Sequence, residues 1–180
     1  MSNLAAELKS WIKTIVFAVV IAIIVRSFIF SSYTVEGQSM EPTLINNEKM
    51  IVNKMDFIYS FKHGDIVIIA GEQEDIFYVK RLIGLPGDTI EMQSDSLYVN
   101  GEVVEEAYLT ENKQHAHAQG NLFTGNFGPI TVPEDQYFVL GDNRLNSTDS
   151  RNGLGLISED RIVGTSELIF YPLSEIRILK

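Results

Sequence analysis

Apolar positions follow two regimes along the chain. From Trp11 to Phe30 they run almost unbroken, as WIKTIVFAVVIAIIVRSFIF; beyond residue 31 they come in short runs separated by Gly, Pro, Asn and Asp. The uninterrupted stretch Ile15 to Val25 is short for a bilayer, but Ile12 and Phe28-Ile29-Phe30 extend it to the ~20 residues that a spanning helix needs. Lys13 and Arg26 can snorkel towards opposite surfaces, and Trp11 and Tyr33 suit the interfaces. A cleaved leader would turn small and polar after the run, whereas this one ends in bulky Phe-Ile-Phe. The pattern predicts a transmembrane helix over 11–30. Lys9 and Lys13 precede its uninterrupted apolar stretch, which puts residues 1–10 on the cytoplasmic side and residues 31–180 outside.

The second regime predicts an all-β domain. Its candidate strands are Lys49 to Asn53, Asp65 to Ala70, Ile76 to Ile83, Thr89 to Glu91, Ser96 to Val99, Tyr137 to Leu140, Arg161 to Val163 and Glu167 to Tyr171. Pro86-Gly87-Asp88 reads as a turn, and Asn100-Gly101 as a hairpin turn joining SLYV to EVV. The segment Thr110 to Gly128, polar and rich in Asn, Gln, His and Gly, reads as a long surface loop. The fold class is therefore mainly β, a small barrel-like antiparallel sheet domain behind one N-terminal helix.

Charge changes the picture in one respect. Of 24 acidic residues only Glu7 precedes residue 31, and of 14 basic residues only Lys9, Lys13 and Arg26 do, so the domain carries −12. Such a surface repels phosphate backbones and excludes nucleic acid as a partner. The absence of cysteine excludes disulfides, thiol nucleophiles and Cys-ligated zinc.

Three segments carry candidate chemistry. Gly37-Gln38-Ser39-Met40-Glu41-Pro42-Thr43 follows the apolar span within ten residues, but it lacks the second glycine of G-x-S-x-G and the lysine of S-x-x-K. Tyr78-Val79-Lys80-Arg81-Leu82-Ile83 is an apolar strand holding two adjacent cations, and alternation alone leaves open which one is inside. Only lysine can act as a base, since guanidinium keeps its proton. An unperturbed lysine is neutral in about one molecule in 2,500 at pH 7, so such a base requires burial. Gly141-Asp142-Asn143-Arg144-Leu145-Asn146-Ser147-Thr148-Asp149-Ser150-Arg151 offers Asp142/Arg144 and Asp149/Arg151 as ion pairs two residues apart in extended chain.

Taken together and in this order, these segments resemble type I signal peptidases of the prokaryotic kind. The resemblance includes the anchor, Gly-x-Ser-Met-x-Pro-Thr, Val-Lys-Arg-Leu-Ile-Gly-x-Pro-Gly-Asp, and Gly-Asp-Asn-Arg followed by Ser-x-Asp-Ser-Arg. It implies a membrane-bound serine endopeptidase, single-pass in the cell membrane, that removes signal peptides from exported preproteins with a Ser39/Lys80 dyad and no cofactor. It implies that Ser147 orients the Lys80 amine and that Asp142, Arg144, Asp149 and Arg151 form a scaffold behind the dyad. Val35, Met40 and Val79 are implied as lining of shallow pockets for small residues before the cut. A hydroxyl two residues before the nucleophile donates to the oxyanion in some relatives. Here that position is Gly37, leaving a second backbone N–H or a water.

Other readings are a self-cleaving repressor-like Ser-Lys protease, a Ser39/His63/Asp65 triad, and a silent β module that binds export machinery. The anchor and the acidic charge oppose the first. His115 and His117 read as solvated rather than as metal ligands, and Phe57 to Phe61 as a core strand or a lipid-dipping cluster.

Overall fold

The computed structural model of the protein describes residues 2–55 and 60–179, and among their side chains all but those of 2–6 and 24–28. Helix α1 (Ser2–Phe28) is continuous, so no break separates the predicted segment 1–10 from the predicted span. It yields to strand at Phe30, inside that span, because Phe30 pairs with Asn53 of the domain. Leu8, Trp11, Ile12, Ile15, Phe17 and Ile23 are all exposed, and among the described residues the main packing partner of the helix is the strand that follows it. Among the described residues no helix is long and apolar enough to cross a membrane.

The domain is built from two antiparallel sheets. The first orders its strands as β1 (Phe30–Thr34), β2 (Lys49–Asn53), β11 (Ile162–Tyr171), β3 (Ile66–Ala70), β4 (Phe77–Gly84), β9 (Gln136–Leu140) and β10 (Ile157–Ser158), with β12 (Arg177–Ile178) also on β11. The second orders β7 (Glu102–Val104), β6 (Ser96–Val99), β5 (Thr89–Gln93) and β8 (Phe127–Thr131). Among the described residues neither sheet closes on itself, so the predicted barrel is two open sheets. Their separation follows from the Pro86-Gly87-Asp88 turn, through which the chain leaves β4 and starts β5.

β3 shows why the interior has more than one core. Its sequence IVIIA is apolar at every position, and alternation sends Ile66 and Ile68 to one cluster with Met40, Leu44, Met50 and Val52. Val67 and Ile69 go to another, with Leu82, Tyr137 and Val139. A third cluster, with Ile83, Ile90, Leu97 and Phe138, joins the two sheets.

Two expectations are corrected. Residues 110–118 form a helix, α2 (Thr110–Ala118), rather than part of a loop, and the same predicted loop ends in β8. The two runs Arg161 to Val163 and Glu167 to Tyr171 are one strand, β11, with register shifts between Ile162 and Gly164 and again after Ser166. Of the Phe57 to Phe61 cluster, 57–59 lie outside the described residues; Phe61 sets its ring edge against Tyr137 at 5.3 Å.

Candidate active site

The turn carrying Ser39 hangs between β1 and β2. Its buried anchors are Met40 and Leu44, and its opening is set by Gly37, whose φ of +88° favours glycine. The Gly37 N–H donates to Asn46 Oδ1 at 3.0 Å. It is therefore engaged within the turn, and a second oxyanion donor has to come from elsewhere.

Lys80 comes from β4. The register pairs Arg81 with Leu140, the last residue of β9, so the chain beyond that strand begins beside Lys80. Gly141 starts it, and a Cβ there would lie 2.5 Å from the Ser39 carbonyl oxygen and 2.1 Å from Ser147 Oγ. The Asn143 N–H then donates to that Ser39 carbonyl at 3.0 Å, and Asn143 Nδ2 to the Gln38 carbonyl at 3.1 Å. The nucleophile turn is thus clamped from the β9 side.

Between these elements Lys80 Nζ lies 2.7 Å from Ser39 Oγ and 3.0 Å from the Val79 carbonyl oxygen. Lys80 is only 2% exposed. Burial pushes its pKa down to about 8, against the opposing pull of the Asp149 and Asp142 carboxylates. Ser39 and Lys80 open onto a cavity of about 270 Å³ whose walls include Val35, Met40 and Val79.

The supporting residues partition differently from the sequence expectation. Asp149 does pair with Arg151, Nε and Nη2 each donating at 2.8 Å, and it also accepts the Gly141 N–H at 3.0 Å. Asp142 and Arg144 do not pair, because the chain turns between them, with the Arg144 N–H donating to the Asp142 carbonyl. Asp142 instead receives Arg81, through Nε at 2.9 Å and Nη2 at 2.7 Å, and accepts the Thr43 hydroxyl from the nucleophile turn. Arg144 pairs with Glu106 and donates through Nε to the Gly141 carbonyl. Ser147 is brought to the site, but its buried Oγ has no hydrogen-bond partner and is not bonded to Lys80.

Sequence reasoning missed Thr43 and Glu106 and left Arg81 open. Both cations of β4 are interior, Arg81 being 1% exposed. A buried guanidinium demands a carboxylate, but strand alternation does not show that Arg81 is buried, and its partner, 61 residues on, is identified only by the fold.

The remaining histidines lie apart from the dyad. His63 Nε2 is 2.7 Å from Asp88 Oδ2, and Asp65 accepts the Lys62 N–H, so neither completes a triad with Ser39. His117 contacts Asp95 and His115 contacts Gln119. Among the described residues no cluster is able to hold a metal ion.

Comparison with known proteins converges on one family. A family model described as signal peptidase, peptidase S26, matches residues 8–171. The signal peptidase I of Bacillus licheniformis is 53% identical over 98% of this chain and 95% of its own. Signal peptidase I T of Bacillus subtilis (strain 168) is 57% identical over 94% and 89%. The crystal structure of a signal peptidase I from Enterococcus faecalis V583 superposes with a TM-score of 0.54 at 36% identity, covering 59% of this chain and 96% of that one.

Proposed function

The chain belongs to the signal peptidase family, peptidase S26, and on that premise we propose that Ser39 is its nucleophile and Lys80 its general base. It is a serine endopeptidase that removes signal peptides from exported preproteins. The observation that carries the assignment is the 2.7 Å contact between Ser39 Oγ and a buried Lys80 Nζ.

With Lys80 neutral, the Ser39 hydroxyl donates to its amine and passes the proton there as Oγ attacks the scissile carbonyl. The resulting ammonium returns the proton to the departing amino group of the mature chain. A water then attacks the acyl-enzyme, again giving a proton to Lys80, and Ser39 is regenerated. The Ser39 N–H faces the oxyanion. Val35, Met40 and Val79 receive the small side chains before the cut. Asp142, Arg144, Asp149 and Arg151 hold the strands and turns that carry the dyad, and the buried, unpartnered Ser147 Oγ is the hydroxyl assigned to orient the Lys80 amine.

Residues 11–30 are the membrane anchor, with 1–10 cytoplasmic and 31–180 extracytoplasmic. The apolar side chains of α1 exposed from Leu8 to Ile23 support the bilayer as a partner, and the sidedness rests on Lys9 and Lys13.

The test is cleavage of a preprotein in detergent by wild type, Ser39→Ala and Lys80→Ala. Both substitutions are expected to lower kcat/KM by at least ~1,000-fold while leaving the fold intact. Undiminished cleavage by either would overturn the assignment.

A further inference from the structure

The contacts that hold the Arg81 guanidinium in its own plane include Asp142 and Gly64. Nε and Nη2 take both oxygens of Asp142, and Nη1 donates to the Gly64 carbonyl at 2.8 Å. Its face rests on the ring of Tyr108, with Cζ 3.9 Å from the ring centroid. Tyr108 belongs to the short segment between β7 and α2. Its hydroxyl donates to Glu106 at 3.0 Å, and Glu106 also binds Arg144 and, at 3.0 Å, Lys113 of α2.

We propose that Tyr108 is a positioning residue for the dyad: its ring holds Arg81 edge-on to Asp142, and so fixes both the strand at Lys80 and the carboxylate behind it. Lys80 and Arg81 are neighbours in β4, so an immobile Arg81 side chain fixes the backbone from which Lys80 projects. Asp142 in turn binds Thr43, four residues after Ser39. One aromatic face therefore acts on both halves of the dyad without touching either.

The charges around this contact give the role a signature distinct from packing. Lys80 is acted on by Asp149 and Asp142, both favouring its protonated form. Arg151 compensates Asp149, and Arg81 compensates Asp142. Tyr108 itself faces Arg81, Glu106, Arg144 and Asp142. Loss of the ring admits water beside Arg81, loosens its hold on Asp142 and strengthens the pull of that carboxylate on the Lys80 proton.

This inference rests on Lys80 being the base, and the kcat/KM pH profile tests the two separately. For Tyr108→Leu we expect an apparent pKa raised by about one unit, a loss of about tenfold at pH 7, and recovery towards wild-type rates at alkaline pH. Tyr108→Phe, which keeps the ring, should retain the wild-type profile. Replacing Tyr108 with 3,4,5-trifluorophenylalanine keeps the shape but empties the negative face, and should shift the profile in the same direction by about threefold at pH 7. If the leucine variant does not fold, the fluorinated one decides. An unmoved apparent pKa in the folded variants overturns the proposal, even with a lowered Tm. Failure of the parent assignment shows elsewhere, as an active Lys80→Ala enzyme or a flat wild-type profile.

Discussion

At the scale of single residues, the chemistry turns on a proton that the protein holds weakly. A lysine with a pKa of about 8 is free in roughly one molecule in ten at pH 7, some 200 times more often than an unperturbed one. The base works only as the free amine, so kcat/KM should rise about tenfold per unit of pH up to neutrality and level off above about pH 8. A stopped assay across pH 5 to 10 would check this, and a rate constant over that range would refute it. The need for a buried lysine was legible from chemistry alone, because arginine cannot serve. That Arg81 would be buried as well was not legible: strand alternation sets neighbours on opposite faces, and both faces of β4 prove to be interior. Nor could the sequence pair Arg81 with Asp142. The nearer candidate, Arg144, is removed by a turn that apolar patterning does not register.

Among the elements, those written in short-range signals were the legible ones. Asn100 and Gly101 both take positive φ, at 55° and 81°, and join β6 to β7 as the dipeptide implies. β11 was read as two pieces because Gly164-Thr165-Ser166 interrupts its apolar run; Gly164 is needed there because a Cβ would lie 2.1 Å from the Asn53 carbonyl oxygen. α2 was missed for the opposite reason. It buries only Ala116, so it has no apolar stripe to read, and it is held through Lys113 and His117 instead. The organising residue is Asp95, whose carboxylate accepts the N–H groups of Phe123, Thr124 and Gly125 as well as His117. Burial alone would raise its pKa, but these bonds hold it below the usual carboxylate range. Asp95→Ala should therefore cost about 3 kcal/mol. Hydrogen exchange should show the amides of 123–125 losing protection while those of β3 and β4 keep theirs. Equal loss throughout would mean that Asp95 supports the whole domain rather than this segment.

For the whole molecule, two surfaces of opposite character are joined end to end. The domain is acidic, with 23 Asp and Glu against 11 Lys and Arg from residue 31 onward, while the helix before it exposes apolar side chains all round. An alkaline carbonate wash of membranes should leave the full chain in the pellet, as an integral anchor requires; release into the supernatant would reduce α1 to a peripheral contact. The joint itself is short. Ile29 alone separates α1 from β1, and β1 is hydrogen-bonded to β2 along its length, so the domain has little slack on its tether. Ser39 lies eleven residues beyond the helix end, at most about 40 Å even with the chain fully drawn out. With α1 lodged in the bilayer as proposed, the helix would serve as a ruler as well as a moor: a peptide bond presented higher above the membrane would pass out of reach, whatever its sequence.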